Sequence, residues 1–414
     1  MPASSRRWHP SRRARLAEDK TAPRPGSAAI PYWRLASFYF FYFGALGALV
    51  PFWGPYLSAQ GIPPSAIGGL MAILAGTKIV APLLWGTLVD RWGQRMPWVR
   101  VAAWLTALTF GPVYWAQDLW SLAGAMLLFS FFWNAALPPL EAVTFNHLGH
   151  RANRYAAVRM WGSVGFILAV VVLGIAIGRL GIDILPTVVL ALLCGLGLAT
   201  LAIPEAAPAR DPHPAPRAPR QHGWFALLAP AEIRAFLLAC LLMQLSHGAY
   251  YGFYSLHLTA AGYGSTAIGA LWAFGVVIEV LIFARMHWLL ERFGARNMLL
   301  ASLALAALRW LMVGGLIDWP AAQIFAQTLH GATFGAFHAA GIHLTHHYFP
   351  ARAQGRGQAL YNALGFGAGG ALGSLLAGLS WTHLGGSLTF ILAALPAWLA
   401  WRLAARYVDR ARRY

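Results

Sequence analysis

The sequence predicts an all-α integral membrane protein with twelve transmembrane helices arranged in two pseudo-symmetric six-helix bundles. Three observations predict this fold: an apolar composition, twelve apolar runs of membrane-spanning length, and an internal repeat. Of the 414 residues, 58% are hydrophobic and only 11% are charged, and the mean hydropathy is +0.56. A soluble protein of this size needs a polar surface that this composition cannot supply. Most of the chain is therefore expected to lie in lipid.

Each predicted helix rests on one apolar run. A helix that crosses a bilayer needs about 20 mostly apolar residues. Proline and glycine occur inside several runs, which helices in lipid tolerate because their neighbours satisfy the freed backbone groups. The twelve runs begin near Leu35, Ala66, Val101, Leu119, Met160, Ile184, Ala235, Ala267, Met298, Trp319, Gly357 and Gly386.

The basic residues predict the orientation of these helices. The formal net charge of +18 would suit a nucleic-acid-binding protein only if the cations formed one folded face. They lie instead in short gaps between apolar runs, so no nucleic acid is expected as a partner. Every second connection is basic, and the alternate connections carry Arg179 as their only cation. The positive-inside rule then places both termini in the cytoplasm, in a multi-pass protein of the inner (plasma) membrane. The basic connections contain Arg91, Arg95, Arg100, Arg151, Arg154, Arg159, Arg210, Arg217, Arg220, Arg292, Arg296, Arg352 and Arg356.

The longest connection divides the chain into two domains. Residues 204–231 are rich in Pro, Ala and Arg and are predicted to form an extended cytoplasmic linker. The linker separates an N-terminal six-helix bundle at 32–203 from a C-terminal one at 232–405. Residues 1–31 are predicted to be a disordered basic cytoplasmic tail, and residues 406–414 a second basic tail.

The two bundles repeat each other at one fixed offset. AIGGL at 66–70 returns as AIGAL at 267–271, and DRWGQR at 90–95 returns as ERFGAR at 291–296. Two matches at the same offset indicate a duplicated six-helix unit. Duplicated bundles of this kind place a binding site between the halves near the bilayer midplane, where rocking of the halves gives alternating access.

One connection resembles a signature of the major facilitator superfamily. GTLVDRWGQR at 86–95 fits the pattern G-x-x-x-D-R-x-G-x-R, between helices 2 and 3 on the cytoplasmic side. The resemblance implies the major facilitator fold and a cytoplasmic gate in which Gly86 allows close helix approach. Asp90 and Arg91 would pair with neighbouring helix ends, and the motif also includes Gly93 and Arg95. The second-half loop lacks a glycine matching Gly86, so only the first-half gate is carried over.

Five further segments resemble the phenylpropionate permease branch of that superfamily, which is akin to oligosaccharide and nucleoside proton symporters. The resemblance implies proton symport and, less directly, uptake of an aromatic acid. It includes Gln327 among the pathway residues. The segments are FWGPYL at 52–57, RMWGSVGF at 159–166, HGAYYGFY at 247–254, LRW at 308–310 and QTLHGATF at 327–334.

Ionisable residues inside the first-half helices predict a functional pair. Glu141 and Arg159 are equally distant from the cytoplasmic turn between helices 4 and 5, so they lie at one depth, roughly 13 Å or less below it. Charges in hydrocarbon are costly and are functional by default. Substrate anchoring or gating by exchange of partners is the predicted role, and a structural ion pair is the alternative.

The same reasoning assembles a layer in the second half. Glu279 and Arg309 are equally distant from the cytoplasmic turn between helices 8 and 9, about 22 Å each, which places both close to the midplane. The same argument applied to the outer turns places His247 level with Glu279, and His330 level with Arg309. Burial and nearby charges can shift the pKa values of buried Glu and His side chains toward physiological pH. The layer is therefore interpreted as a proton relay. For any single histidine, a hydrogen-bonded core imidazole is the alternative.

Lys78 occupies the position in the first half that Glu279 occupies in the second. If the pseudo-two-fold axis runs through a central cavity, both residues face it, and Lys78 can hold an anionic substrate. Snorkelling of its side chain to the membrane surface is the alternative. Aromatic contact with the substrate is predicted for Trp53, Trp161, Tyr250 and Tyr251.

These features together predict a secondary active transporter: a proton-coupled symporter that takes up a small organic solute, such as an aromatic carboxylate, by alternating access. The alternatives are a sugar or nucleoside carrier or an exporter on the same fold, and a non-transporting membrane sensor. No nucleophile–base pair or complete metal-ligand set is evident, so neither enzymatic activity nor a metal site is predicted. The proton gradient is the expected energy source, without a cofactor. The expected partners are the substrate, the proton and the lipid bilayer, and the protein is expected to be a monomer.

Overall fold

The computed structural model describes residues 30–206, 227–350 and 353–409. These residues form twelve helices, which we number α1 to α12. Most of the predicted basic tails and of the 204–231 linker lies outside the described residues. We call the side that holds Tyr32 and Tyr407 the terminal side, and the side that holds Ala59 and Pro64 the far side.

The first bundle contains α1 to α6. Pro64 opens α2, where its missing N–H costs no helical hydrogen bond. Asp118 caps α4 by accepting bonds from the backbone nitrogens of Trp120 and Ser121 at 2.8 and 2.9 Å. These bonds from Ser121 and Trp120 lower the pKa of the Asp118 carboxyl. The helices are α1 Tyr32–Ala59, α2 Pro64–Trp92, α3 Met96–Phe110 with a 3₁₀ turn Gly111–Tyr114, α4 Leu119–Leu148, α5 Tyr155–Leu180 and α6 Leu185–Ala202.

The second bundle contains α7 to α12, and three of these helices are irregular. Helix α9 breaks at Gly294, and a second break at Gly385 separates α11 from α12. Both glycines have a positive φ. Helices α10 and α11 each contain a π-helical segment. The helices are α7 Ala231–Ala260, α8 Ser265–Ala284, α9 Met286–Gly315, α10 Pro320–His330 with Gly331–Ala336 (π) and Phe337–Tyr348, α11 Gln354–Tyr361 with Asn362–Gly369 (π) and 370–384, and α12 386–407.

The described helices have the length and hydropathy of membrane spans. Nine segments qualify on length and composition, and one of them, Gln354–Tyr407, contains both α11 and α12. Helix α3 is too short to qualify alone, and α10 is interrupted by its π segment. The twelve helices match the twelve predicted runs, so the predicted all-α membrane fold is confirmed. Leucine and tryptophan side chains that would be unfavourable in water, such as Leu108 at 70% exposure, cover the outside of the bundle.

The turn between α8 and α9 lies at Gly294, near residue 294 as expected. Gly294 has a positive φ and breaks the helix Met286–Gly315, as Gly93 does at the end of α2. Arg285, which separates α8 from residues 286–293, has a φ of −105° and a ψ of 5° and no positive φ. Glu279 is level with the middle of α10, because a Cβ added to Gly335 would lie 3.2 Å from Glu279 Cγ.

The two bundles meet closely toward the far side, through glycines. A Cβ added to Gly68 of α2 would lie 2.6 Å from the backbone oxygen of Ser374 in α11. A Cβ on Gly269 of α8 would lie 2.6 Å from the backbone oxygen of Val170 in α5. Backbones therefore touch backbones there, as small residues allow in membrane helices. The halves are closed together at the far side.

Candidate functional site

Glu141 and Arg159 lie near each other in the first bundle but do not pair directly. The hydroxyl of Tyr155, on the turn before Arg159, donates to Glu141 Oε1 at 3.0 Å. The Arg159 guanidinium lies 3.7 Å from the ring centroid of Phe43, in cation–π contact. It interacts electrostatically with Glu141, yet the described residues contain no ion pair between the two. The direct pair expected from equal depth is therefore replaced by a tyrosine–glutamate bond beside a stacked arginine.

Arg159 also faces the second bundle. Its charge acts on Glu279 of α8 and on His338 of α10. One guanidinium thus influences carboxylates of both halves, Glu141 in its own half and Glu279 in the other.

Arg309 is the most enclosed charge of the second bundle. Its side chain is fully buried, and its guanidinium donates to Thr333 Oγ1 at 3.3 Å and to Gln327 Oε1 at 3.2 Å. The guanidinium carbon lies 4.2 Å from the ring centroid of Tyr250 and 4.6 Å from that of Trp310. Over the part of the chain that the structure describes, no carboxylate pairs with it. A buried cation held only by neutral groups and rings is costly, which is typical of a functional site.

Glu279 and His330 form the acid–base contact of this cluster. Glu279 Oε2 lies 3.5 Å from His330 Nε2, and both side chains are largely buried. Gln327, one turn before His330, accepts a hydrogen bond from the Tyr250 hydroxyl at 3.1 Å in addition to the one from Arg309. The cluster is continuous from Arg309 through Gln327 and Tyr250 to His330 and Glu279, because the rings of Tyr250 and His330 are 5.5 Å apart.

His247 joins the cluster from α7. Its Nδ1 lies 2.9 Å from the carbonyl oxygen of Met243, so the proton is on Nδ1 and Nε2 is an acceptor. The imidazole meets the edge of the Trp310 ring at 4.9 Å. Within the described ranges, four buried polar atoms of the cluster have no hydrogen-bond partner: His247 Nε2, Arg309 Nε, Gln327 Nε2 and His330 Nδ1. Unpaired buried polar groups cost about 1–3 kcal/mol each, so their concentration here suggests groups kept free for a functional partner.

Lys78 lies midway along α2 and faces the space between the bundles. Ala75 and Ile79 pack on α11, whereas Thr77 bonds Asn134 and Ser130 of α4 at 2.9 and 3.0 Å. Lys78 lies on the helix face between these two sets. It is exposed, and in residues 30–206, 227–350 and 353–409 no carboxylate or hydrogen-bond acceptor contacts its ammonium group.

The four predicted aromatic contacts separate into two groups. Trp53 is fully buried in the first bundle, where it donates to Met126 Sδ at 3.3 Å. Trp161 donates to the Tyr32 hydroxyl at 3.0 Å, near the terminal side. Neither reaches the central cluster. Tyr250 lies within it, and Tyr251 adjoins it, with its ring 6.1 Å from that of His247.

The gate loop is open in this structure. A Cβ on Gly86 would meet nothing within 4 Å, so the close approach implied for this glycine is absent. The halves meet at the far side, and the terminal side, where this loop lies, is therefore not held shut. Gly93 ends α2 in the left-handed conformation. Asp90 and Arg91 are exposed. The Arg95 backbone nitrogen instead donates to Glu205 at 3.1 Å.

Sequence reasoning missed two sets of residues. Glu205, assigned to the linker, caps the start of α3 through Arg95 and Met96. His330, Phe334 and His338 form a column of nearly parallel rings along α10. Their spacing of four residues in LHGATFGAFH was the available signal for the column.

Comparisons with known proteins bear on the family and the fold of the chain. The model of the MFS_1 like family matches residues 32–392. A probable 3-phenylpropionic acid transporter of Escherichia coli (strain K12) is 35% identical, over 88% of this chain and 95% of that protein. The maltose permease of Geobacillus stearothermophilus is 30% identical, over 82% and 85%. The crystal structure of the nucleoside transporter NupG superposes with a TM-score of 0.78 at 17% identity, over 91% of this chain and 98% of that one. These matches confirm the resemblance drawn from the sequence motifs.

Proposed function

Because this chain belongs to the MFS_1-like family of the major facilitator superfamily, a family of multi-pass membrane transporters, we propose that it is a proton-coupled symporter. It takes up a small organic solute by alternating access, with the proton gradient as its energy source. The solute we propose is an aromatic carboxylate, the class to which the substrate named for the Escherichia coli relative belongs. The protein works as a monomer in the plasma membrane.

One contact supports the proposed coupling of transport to the proton. Glu279 contacts His330 at 3.5 Å beside Arg309, a buried cation that has only neutral partners among the residues described. A carboxyl group in apolar surroundings favours its protonated form, and an adjacent guanidinium favours the carboxylate. If Arg309 or Arg159 approaches or leaves Glu279 as the halves move, the carboxyl releases or binds its proton. The proton is thereby tied to the conformational cycle.

The pathway we propose uses both halves. In the second half, Glu279 carries the proton, with His330, Arg309, Gln327 and His247 as the surrounding relay. In the first half, Arg159 and Glu141 respond to the closure of the halves, and Lys78 holds the anionic end of the solute. The far-side closure corresponds to the inward-facing conformation when both termini are cytoplasmic.

A sugar carrier is the second candidate. It is favoured by the maltose permease relative, at 30% identity. Uptake into proteoliposomes under an imposed inward proton gradient separates the two. We expect 3-phenylpropionate to accumulate and to carry protons inward, and maltose not to do so. Accumulation of maltose but of no carboxylate would establish the second candidate.

The orientation can be tested with two exposed positions on opposite sides. In a variant whose two native cysteines are replaced by serine, Gln117→Cys lies on the far side and Asn153→Cys in a terminal-side turn. We expect an impermeant thiol reagent added to intact cells to label Gln117→Cys only. Labelling of Asn153→Cys alone would invert the proposed topology.

Arg159 can be tested against Arg154, which lies in the exposed turn before it. Arg159→Ala removes the cation shared by the two halves, and uptake per folded molecule should fall about tenfold, which corresponds to ~1.4 kcal/mol. Arg154→Ala should transport normally. Surface expression is measured beside uptake to separate folding from function. Equal transport by the two variants would show that Arg159 has no functional role.

A further inference from the structure

The two π-helical segments of the second bundle meet at a pair of phenylalanine rings. Phe334 belongs to the segment Gly331–Ala336 of α10, and Phe366 to the segment Asn362–Gly369 of α11. Their ring centroids are 6.1 Å apart, with the planes at 76°, an edge-to-face contact. π-helical turns are rare and occur frequently at functional sites. The contact between the two π-helical segments therefore marks a candidate functional site.

Phe334 is the middle ring of a column along α10. Its centroid is 5.5 Å from His330 and 6.5 Å from His338, with the planes tilted by only 7° and 10°. The position of His338 is fixed by its contact with the Tyr361 hydroxyl at 3.2 Å. Phe334, His338 and Phe366 are only half-buried. His338 lies within electrostatic range of Arg159 of the other half, so the column faces the space between the bundles.

Lys78 of the opposite bundle lies at the same depth as these rings. Lys78 directly precedes Ile79, and a Cβ added to Gly367 would lie 2.3 Å from Ile79 Cγ1. Gly367 follows Phe366. Lys78 lies midway between the ends of α2, and Phe334 midway between the ends of α10, so both are at one depth. Both helices run from the far side to the terminal side. Lys78 and the aromatic column thus lie at one depth, on opposite sides of the space between the bundles.

We infer that this is the binding site for an aryl carboxylate, with the aryl ring against Phe334 and Phe366 and the carboxylate on Lys78. The inference rests on the proposed transport function and specifies its substrate site. Phe334 and Phe366 offer ring faces and edges to an aromatic ring and no hydrogen-bonding group to a sugar hydroxyl. The ammonium group of Lys78 lacks a carboxylate partner among the described residues, and the substrate would supply one.

The test is equilibrium binding of radiolabelled 3-phenylpropionate to the purified protein. We expect Phe334→Leu and Phe366→Leu each to weaken binding about tenfold, because leucine keeps the bulk and removes the ring. Phe325→Leu is the matched control, since Phe325 lies on the same helix with 52% of its surface exposed. Lys78→Gln should weaken binding roughly thirtyfold and Lys78→Arg much less, because only the arginine keeps the charge.

Changes in the ligand test the site without any variant. In the native protein, 3-cyclohexylpropionate should compete about tenfold less well than 3-phenylpropionate, and this difference should disappear in Phe334→Leu. Competition by 3-phenylpropionamide should be weak and insensitive to Lys78→Gln. Equal competition by the cyclohexyl and phenyl acids would overturn the inference, as would the absence of any binding of 3-phenylpropionate.

The outcomes separate this site from the proposed function. If maltose drives proton-coupled accumulation and no aryl carboxylate binds, the site is wrong and the symport stands. If 3-phenylpropionate binds in the manner described but is never accumulated under a proton gradient, the site stands and the symport is wrong.

Discussion

Glu279→Gln should abolish accumulation of substrate against a gradient while leaving exchange of substrate across the membrane intact. Glutamine resembles the protonated carboxyl in size and hydrogen bonding, so the variant mimics a carrier that is permanently loaded with its proton. A carrier in this state can bind and exchange substrate. It cannot return to the outward-facing conformation without substrate and proton, which net accumulation requires. We expect the accumulation ratio under an imposed pH gradient to fall to that of passive equilibration.

The control for this variant is Glu291→Gln. Glu291 is a surface glutamate whose carboxylate pairs with His287, and its side chain is 66% exposed. Its replacement should leave accumulation and exchange unchanged. Normal accumulation by Glu279→Gln would move the coupling site elsewhere, with Glu141 as the next candidate. A purely structural role for Glu279 predicts instead a lower yield of folded protein, with coupling intact in whatever remains.

Gly68→Ala should have an equally large effect on transport, through the far-side closure. The added methyl group would lie 2.6 Å from the Ser374 backbone oxygen and 2.8 Å from the Gly378 Cα. Overpacking of this kind costs about 1–3 kcal/mol. The cost falls on the far-closed conformation alone, so the population should shift about 5- to 150-fold toward the far-open one. Uptake should fall correspondingly.

The neighbouring glycine provides the control. A Cβ on Gly69 would meet nothing within 4 Å, so Gly69→Ala should transport normally. Opening can be followed with Val170→Cys, which is buried at the separate contact between α5 and α8. In Gly68→Ala this cysteine should react faster with an external thiol reagent. Identical uptake and labelling in the two alanine variants would mean that this closure is not part of the transport cycle.

The fold and part of the site could be predicted from the sequence because both follow from coarse physical constraints. The length and hydropathy of the apolar runs determine the twelve helices. The cost of burying charge marks Glu279, Arg309 and His330 as candidates, and the structure brings them into one cluster. The depth argument worked for residues on uninterrupted helices, as it did for Glu141 and Arg159.

The remaining features depend on details that hydropathy and spacing do not contain. The irregular residue Arg285, which separates α8 from residues 286–293, has no counterpart in the hydropathy pattern. The positions of neighbouring side chains decide whether Arg159 contacts Glu141 or Phe43. In the structure Tyr155 donates to the Glu141 carboxylate, and Arg159 stacks on Phe43. The π-helical segments leave the hydrophobic pattern almost unchanged, so Phe334 and Phe366 were not singled out.

The depth of Glu279 also determines how the membrane voltage would act on the proton of the proposed symport. One elementary charge that crosses the whole membrane exchanges about 2.3 kcal/mol per 100 mV. Glu279 lies beside Gly335, near the middle of α10. In the proposed orientation, a proton therefore crosses about half of the field on its way to Glu279 from outside and about half on its way to the cytoplasm. A voltage jump should change the rates of proton loading and of proton release to a similar extent.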